Sequence, residues 1–461
     1  VRNKERLGEL ALVVVALSML AVALTGQRAD TFLFARMIVN DPFALFFKAL
    51  FGLSSLAAVW MSLGSREIKR VSQGEYYGLL LSSTLGMFFM ASATNLLMAY
   101  LSLEFVSLTS YVLSGYLRHD RRSGEAALKY LIYGGVASGT MIYGMSWIYG
   151  LAGSMDFMQI NAALTQGDPH KLALFIALVL TLAGFGYKIS AVPFHMWAPD
   201  VYTGAPIPVT AFLSVGSKAA GFALLMRFFY PGLSKMSPDG TWQFLPGVDW
   251  PQLVLVLSMV TMTLGNLAAL SQRNLKRLLA YSSIAHAGYM LMGFVVLSNE
   301  GLRAMMFYMV VYYLMNIGAF LVVMIVANET GREDIEGFRG LAWRGGWAPA
   351  IAMAIFMFSL TGLPPLSGFV GKFYLFAAVV RQQFYALAVV GVANSVISLY
   401  YYMRIVRTMF LDFPEGTETP VTVSAHNGCL LWGLACLTVV LGIYWAPVIA
   451  LADRSLHFFV G

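Results

Sequence analysis

The sequence has little charge: Asp, Glu, Lys and Arg make up only 11% of its 461 residues, whereas hydrophobic residues make up 59%. Water-soluble domains do not carry that balance, so a soluble fold is excluded. The chain also lacks the polar linkers, low-complexity tracts and blocks of like charge that separate domains. We therefore predict one membrane domain over residues 1–461.

Motifs for cofactors are lacking as well. Neither G-x-x-x-x-G-K-[ST] nor G-x-G-x-x-G occurs, and Cys429 and Cys436 lie in one apolar stretch without a C-x-x-C or Cys/His cluster. The sequence therefore predicts no metal, iron–sulfur or nucleotide site in this chain. The formal net charge of +7 lies in loops between apolar segments, so it does not indicate a nucleic-acid partner.

What the sequence does contain is a series of apolar runs with the roughly 18 or more residues that a bilayer-spanning helix needs. Their continuous hydrophobicity predicts helices, since the strands of a β-barrel alternate over roughly ten residues. The predicted fold class is an all-α polytopic membrane protein with about 13 transmembrane helices. The predicted spans are 7–26, 43–63, 76–92, 95–117, 127–150, 171–202, 205–230, 251–270, 277–297, 302–327, 349–380, 384–410 and 429–451.

The loops between these spans, assigned alternately to two sides, divide the basic residues unequally. Side A, which holds the N-terminus, receives 18 of the 30 Lys and Arg, whereas side B receives 8. Because cytoplasmic loops carry an excess of Lys and Arg, side A is predicted to be cytoplasmic and the C-terminus to lie outside. The side B residues are Arg28, Arg36, Lys171, Arg227, Lys235, Arg303, Arg381 and Arg454.

The four remaining basic residues, Lys48, Lys188, Lys218 and Lys372, lie inside apolar spans. A charge at that depth costs several kcal/mol, and buried lysines commonly carry protons. Small residues around Lys218 predict room for water beside it, with a snorkelling lysine as the alternative. Lys48 lies near the start of its span, where snorkelling is the favoured interpretation.

Two spans contain helix-breaking residues beside a lysine. The breaking residues are Gly184, Gly186 and Pro193 around Lys188, and Gly362, Pro364, Pro365, Gly368 and Gly371 before Lys372. A break frees backbone carbonyls, and it persists in a membrane only where protein or a water-filled cavity satisfies them. Two broken helices in successive halves indicate a transporter fold with inverted repeats, in which about 76–230 forms the first half-channel and about 251–410 the second.

Several other polar residues lie in or beside these spans. Glu104 is the only acidic residue in its span, and its natural partner is Lys188, either as a switchable pair or as a static pair that fixes helix register. His195 and His286 have a proton affinity that suits a relay, although a histidine in an apolar helix is more often a satisfied core residue. Lys129 starts a helix on side A, where it lines an access path or anchors the helix.

Five strings hold most of these residues. They are Leu103–Leu108, Gly186–Tyr202, Ser217–Lys218, Leu275–Ser283 and Leu363–Tyr374. Together they resemble the antiporter-like membrane subunits of respiratory complex I, and most closely the subunit N family of the bacterial NADH-quinone oxidoreductase and its chloroplast counterpart. The resemblance runs from about residue 5 to 452.

This resemblance implies roles for particular residues. It implies that Glu104 is paired with Lys188, that Lys218 is a central lysine, and that Lys372 ends a second half-channel. Lys129 and His195 correspond to accessory relay positions. The family has one further helix before the point at which this sequence opens. Two explanations stay open: the start codon was assigned too late, or the helix is absent in this lineage.

The resemblance also implies a setting for the chain. NADH, FMN, iron–sulfur clusters and quinone are expected to be used by the assembled complex, with none held in this chain. The expected partners are other membrane subunits of complex I and the lipid bilayer. The expected location is the bacterial inner membrane.

We therefore interpret the sequence as a proton-translocating subunit. Electron transfer elsewhere changes the field at Glu104, and Lys188 then passes its proton towards Lys218 and Lys372. Two other interpretations stay open. One is a subunit of a multisubunit cation/proton antiporter or membrane-bound hydrogenase, and the other is a non-conducting membrane scaffold.

Overall fold

The predicted all-α membrane fold is confirmed by a computed structural model, which describes residues 5–25, 31–167, 170–237, 241–245, 249–413 and 420–456. The helices are α1 Glu5–Thr25, α2 Pro42–Gly64, α3 Arg66–Lys69, α4 Gln73–Ser92, α5 Leu96–Ser114, α6 Arg121–Ala152, α7 Phe157–Gln166, α8 Lys171–Ile189, α9 Trp197–Gly204, α10 Ile207–Phe212, α11 Lys218–Leu233, α12 Trp250–Leu270, α13 Leu275–Val295, α14 Asn299–Thr330, α15 Trp347–Thr361, α16 Ser367–Arg381, α17 Tyr385–Phe410, α18 Ala425–Ile443 and α19 Ala446–Arg454. A π-helical turn, Leu213–Ser217, joins α10 to α11, and a 3-10 turn, Ile335–Phe338, follows α14.

In the described part of the chain, short antiparallel hairpins occur at two connections between helices. Strand β1 (Thr31–Leu33) pairs with β2 (Ile38–Asn40), and β3 (Ser234–Met236) pairs with β4 (Trp242–Phe244).

Ten helical segments in the described part of the chain are long and apolar enough to cross a membrane. They coincide with ten of the predicted spans. The predicted spans 76–92 and 127–150 correspond to α4 and α6, and the predicted span 349–380 corresponds to the broken pair α15 and α16. Every predicted span is therefore helical, and the predicted count of about 13 is approximate.

Three helical segments form the centre of the protein. The continuous segment α10–α11 and the helices α13 and α14 are almost wholly buried, whereas α1, α17 and α18 keep most of their apolar surface exposed. A helix that is hydrophobic on all sides belongs in a protein interior, and an exposed apolar helix belongs against lipid or another subunit. Lys218 lies on the first of these central segments.

The helices α6 and α14 belong to two structurally repeated units. Each of these helices has 32 residues and ends at a glycine with a φ of +69°, Gly153 in one and Gly331 in the other. Before them, α5 and α13 both begin after an asparagine N-cap, Asn95 and Asn274. An asparagine N-cap and a left-handed glycine C-cap satisfy backbone groups that helix ends leave free.

The two units run in opposite directions. An isolated bridge joins Asn95 to Asp156 in the first unit, and an equivalent bridge joins Asn274 to Asp334 in the second. The backbone at Gly204 lies against the start of α6, and the neighbouring Ala205 carbonyl accepts a hydrogen bond from the start of α13. The end of α5 and the start of α13 thus share one face of the protein, which confirms the predicted inverted repeats.

The first break falls where the sequence predicts it, but the protein satisfies the freed carbonyls. Helix α8 ends at Ile189, and Ser190 adopts a left-handed conformation with a φ of +60°. The Gly186 carbonyl accepts from the Ala191 N–H at 2.7 Å. The Tyr187 carbonyl accepts from the Ser190 N–H and from the indole of Trp197, both at 3.1 Å. The expectation of free carbonyls beside Lys188 is therefore corrected for these two groups.

Candidate functional site

Lys188 lies in the last turn of α8 and is only 2% exposed. Its ammonium group donates to the Ser107 hydroxyl on α5, with an Nζ–Oγ distance of 3.2 Å. Glu104 lies one turn earlier on α5, and its charge acts on Lys188, but no ion pair of 4.0 Å or less joins the two among the described residues. The Glu104 Oε1 atom is buried without a hydrogen-bond partner in the same part of the chain. Glu104 and Lys188 thus interact at longer range, and Ser107 takes the direct contact.

Lys218 is also 2% exposed and begins α11 directly after the π-helical turn. Its ammonium group donates to the Ser283 carbonyl at 2.8 Å and also to the Ser283 hydroxyl. A π-helical turn interrupts the regular hydrogen-bond ladder of a helix and frequently occurs at functional sites. Lys218 therefore lies at an irregular point of a central helix, held by α13.

The small residues near Lys218 serve close packing. A Cβ atom at Gly221 would lie 3.0 Å from Lys188 Cγ and 2.9 Å from Ile189 Cγ2, so the glycine lets α8 approach α11. The gap beside Lys218 is too small for a water molecule in this conformation, which corrects the expectation of room for water there. Gly221 instead brings the helices that carry Lys188 and Lys218 into contact.

Lys372 lies on α16 and is 5% exposed. Its ammonium group donates to the Thr361 carbonyl at 2.9 Å and to the Ser395 hydroxyl at 3.3 Å. Thr361 is the last residue of α15, where helix carbonyls lack partners within the helix and a cation is favoured. The second break therefore places a lysine on a freed carbonyl, with the ring of Tyr289 4.6 Å from the ammonium nitrogen.

One face of α13 lies between Lys218 and Lys372. Ser283, His286 and Tyr289 recur at a spacing of three residues, which keeps them on neighbouring positions of a helix. Ser283 holds Lys218, and the Tyr289 hydroxyl forms a 3.2 Å hydrogen bond with the same serine, Ser395, that Lys372 contacts. His286 lies between them, where the charges of both lysines act on it.

His286 has hydroxyl partners on both ring nitrogens. Nδ1 lies 2.7 Å from the Tyr308 hydroxyl, and Nε2 lies 3.1 Å from the Tyr402 hydroxyl. The Tyr402 hydroxyl is in turn hydrogen-bonded to the Ser282 hydroxyl. Because hydroxyls both donate and accept, this chain of groups can exchange protons through the imidazole. The structure thus places His286 between Lys218 and Lys372, and its role in a relay stays a prediction.

The other two predicted accessory residues, His195 and Lys129, lie apart from the group formed by Lys218, His286 and Lys372. His195 is buried in the turn after α8, and its Nδ1 has no hydrogen-bond partner among the described residues. Lys129 is about one-third exposed and pairs with Asp200 and Glu125, both at 2.6 Å. Asp200 also binds Arg277. The structure therefore places Lys129 in a charged cluster at the end of the protein assigned to side A.

Lys48 differs from the three buried lysines. It is half-buried, and its ammonium group donates to the Asn40 side chain at 3.3 Å, towards the start of α2. That geometry matches the snorkelling interpretation.

Sequence reasoning missed two buried ion pairs. Arg227, counted in a side B loop, is 4% exposed and donates to both carboxylate oxygens of Asp41, at 2.7 and 2.5 Å. Lys276, counted in a side A loop, is 2% exposed and donates to Glu333 at 3.0 Å and to the Ala205 carbonyl at 2.9 Å. Both placements in loops were wrong. An Asp-Pro step at a helix start is an N-cap signal, and it could have shown that Asp41 begins α2.

The three central lysines share one chemical property: each donates to hydroxyl or carbonyl groups, and none lies within 4.0 Å of a carboxylate in the described ranges. A buried ammonium without a counter-ion is costly, which is the condition under which lysine gives up a proton. Inverted repeats with two broken helices around such residues define an antiporter-like transporter subunit.

Comparison with known proteins agrees with this class. The pattern of the family described as "NADH:quinone oxidoreductase/Mrp antiporter, TM" matches residues 93–398. The chain is 49% identical to NADH-quinone oxidoreductase subunit N of Anaeromyxobacter sp. (strain Fw109-5), over 98% of this chain and 90% of that protein. It is 50% identical to NADH-quinone oxidoreductase subunit N 2 of Sorangium cellulosum (strain So ce56), over 96% and 90%.

Solved structures share the fold. A chain of respiratory complex I from Thermus thermophilus is 32% identical with a TM-score of 0.81, over 98% of this chain and 95% of that chain. A chain of the Mrp complex from Dietzia sp. DQ12-45-1b is 20% identical with a TM-score of 0.87, over 99% and 93%, and this second likeness concerns the fold alone. The protein belongs to the NADH-quinone oxidoreductase subunit N family, as the sequence resemblance predicted.

The described residues also bear on metal binding. Within these ranges, no group of three or more His, Cys, Asp or Glu side chains is placed to hold a metal ion.

Proposed function

We propose that this chain is a proton-translocating membrane subunit of an NADH-quinone oxidoreductase, and that protons move along the row Lys188, Lys218, His286 and Lys372. The observation that carries this proposal is that the direct hydrogen-bond partners of Lys188, Lys218 and Lys372 are neutral groups. Ser107, Ser283 and the Thr361 carbonyl stabilise an ammonium by hydrogen bonds but do not fix its charge as a carboxylate would.

The surroundings of Glu104 support a switching role for it in this proposal. Its buried Oε1 atom has no hydrogen-bond partner in the described chain, and its charge acts on Lys188. A change in the field at Glu104 therefore changes how strongly Lys188 holds its proton. Transfer from Lys188 to Lys218 is aided by the contact of α8 and α11 at Gly221.

In the assembled complex, this chain lies beside other membrane subunits, and NADH, FMN, iron–sulfur clusters and quinone belong to other parts of the assembly. The bacterial inner membrane is its location, with side A cytoplasmic. The ion pairs of Asp200 with Lys129 and Arg277, and of Lys276 with Glu333, group these basic residues at one end, which supports the common side assigned to them. Residues 76–230 and 251–410 form the two half-channels.

Two alternatives are less well supported. A cation/proton antiporter subunit shares the fold, but the Mrp likeness has 20% identity against 49–50% for the subunit N relatives. In a non-conducting scaffold, the central lysines would serve only to hold helices together. Hydrogen bonds to neutral groups compensate poorly for the cost of removing a lysine's charge from water, so this role is less well supported.

The test is the Lys218→Met variant in the assembled complex, reconstituted in liposomes. Proton uptake per electron transferred to quinone is measured. We expect pumping to fall to background, because the central carrier is removed. Lys235→Met is the matched control, since Lys235 is exposed on β3, and it should pump normally. Normal pumping by an assembled Lys218→Met complex would contradict the proposed function.

A further inference from the structure

The link between α9 and α10, Ala205 and Pro206, is held by charges of opposite sign. The Lys276 ammonium donates to the Ala205 carbonyl at 2.9 Å, at the end of α9. The Ile207 N–H, at the start of α10, donates to the Glu67 carboxylate at 3.2 Å. Each charge therefore lies at the helix end whose dipole favours it. We call Glu67, Lys276 and Glu333 the side A clamp, because Lys276 also pairs with Glu333 at 3.0 Å.

Several charges face the Glu67 carboxylate. They come from Lys276 on α13, Glu333 after α14, and Asp120 at the start of α6. Burial raises the pKa of Glu67, and the attraction of Lys276 and the hydrogen bond from Ile207 only partly offset that effect. Glu67 therefore takes up a proton more readily than an exposed glutamate does.

The side A clamp is linked to Lys218 by two routes. The helix that starts at Ile207 continues through the π-helical turn to Lys218. On α13, Lys276 and Ser283 are seven residues apart, so they share one face at a separation of about 10.5 Å. The Ser283 carbonyl accepts from Lys218. The buried hydroxyl of Tyr202 interacts with the Ser283 side chain, although no hydrogen bond of 3.5 Å or less joins them among the described residues.

We propose that Glu67 is a proton-loading site on side A that serves Lys218 directly, with Lys276 and Glu333 setting its charge. This loading site is additional to the path through Lys188. The inference rests on the proposed function, because it requires Lys218 to carry protons.

The step is a proton transfer. The Glu67 carboxylate forms an O–H bond with a proton from water at side A, and that bond breaks when the proton moves on. Water and the hydroxyls of Tyr202 and Ser283 pass it to the neutral amine of Lys218. Each hydroxyl releases one proton as it accepts one, so only Glu67 and Lys218 change charge. Leu279 is fully buried between Lys276 and Ser283 on α13, so in this proposal the proton passes that point when water enters.

The test uses the assembled complex in liposomes with Glu67→Gln, Glu67→Asp and the control Glu336→Gln. Glutamine still accepts the Ile207 hydrogen bond but cannot titrate, whereas aspartate can titrate. We expect Glu67→Gln to lose more than half of the proton uptake per electron and to flatten its pH dependence. Glu67→Asp should keep pumping with a shifted pH profile. Glu336 is exposed at the same end of the protein, so Glu336→Gln should match the wild type.

The outcomes separate this inference from the proposed function. If Lys218→Met stops pumping but Glu67→Gln pumps with the wild-type pH profile, the loading site is wrong and the lysine row stands. If Lys218→Met pumps normally, the proposed function itself fails. Should Glu67→Gln not assemble, Glu67→Asp decides: a shifted pH profile supports the loading site, and an unchanged profile overturns it.

Discussion

The protein buries basic side chains in two different ways, in the central row and near side B. In the central row, Lys188, Lys218 and Lys372 contact hydroxyl and carbonyl groups. Near side B, Arg227 forms a bidentate pair with Asp41 at the N-cap of α2. The two environments give opposite chemistry: a neutral partner lets the ammonium lose its proton, whereas a carboxylate keeps the cation charged.

Residue type follows the same division. Arginine does not release its proton at accessible pH, and its planar donors match a carboxylate in two places. Lysine loses its proton readily when it is buried. Arginine is thus found in the fixed pair with Asp41, and lysines form the row in which we propose that the charge moves; Lys276, a buried lysine paired with Glu333, lies outside that row. Exchanging the two residue types tests this comparison most directly.

The largest effect is expected from Lys218→Arg, set against Arg227→Lys. The first change places a permanent cation in the row, so proton uptake per electron should fall to background in the assembled complex. The second keeps a cation beside Asp41, so pumping should persist with some loss of stability. Pumping by Lys218→Arg at the wild-type level would show that the central charge is static.

The next test concerns the two halves of the row. Lys372→Met should stop pumping, because protons from both inputs to Lys218 pass through Lys372. Lys188→Met should lose the protons that enter through Lys188 and keep those that Glu67 loads onto Lys218. Proton uptake per electron is measured for both single variants and for the double variant. Single variants that each keep about half of the flux, with complete loss only in the double variant, would indicate two parallel paths.

Near side B the expected effect is on stability. Asp41→Asn leaves Arg227 buried without its counter-ion, which costs about 3–5 kcal/mol. The yield and thermal midpoint of the detergent-solubilised complex should therefore drop. Proton uptake per electron in the complexes that do assemble should stay normal, and a selective loss of pumping would place Asp41 in the proton path.

The sequence predicted the helices and both breaks, because these features are local. Apolar runs mark the spans, and glycines and prolines mark the interruptions around Lys188 and before Lys372. The spacing of Ser283, His286 and Tyr289 was also visible in the sequence as one face of an apolar helix. This spacing could have predicted that one face of α13 lies between Lys218 and Lys372.

Partners between helices could not be predicted in the same way. Lys218 contacts Ser283, 65 residues later, and Arg227 contacts Asp41, 186 residues earlier. Such contacts depend on helix packing, which one sequence does not determine. The predicted pair of Glu104 and Lys188 has no ion-pair contact of 4.0 Å or less among the described residues, and the Lys188 ammonium contacts Ser107 directly.

A smaller effect is expected where α8 meets α11. Gly221→Leu places a side chain against Lys188 Cγ and Ile189 Cγ2, and such overpacking costs about 1–3 kcal/mol. The thermal midpoint of unfolding and the proton uptake per electron should both fall, because the side chain pushes α8, which carries Lys188, away from Lys218. The matched control is Gly139→Leu, because Gly139 has open space around it. Equal effects of the two changes would mean that close approach at Gly221 is unimportant.

The smallest effect is expected at Asp334, in the loop after α14. Hydrogen bonds from Arg332, at 2.9 and 2.6 Å, lower the pKa of Asp334 despite its partial burial. A carboxyl whose pKa is lowered by folding contributes stability above its unfolded pKa, and that contribution is lost as the pH falls through its folded pKa. Wild-type thermal stability in detergent should therefore fall more steeply below about pH 4 than that of Asp334→Asn. Parallel curves would show that the Arg332 contact contributes nothing, as is common for exposed ion pairs.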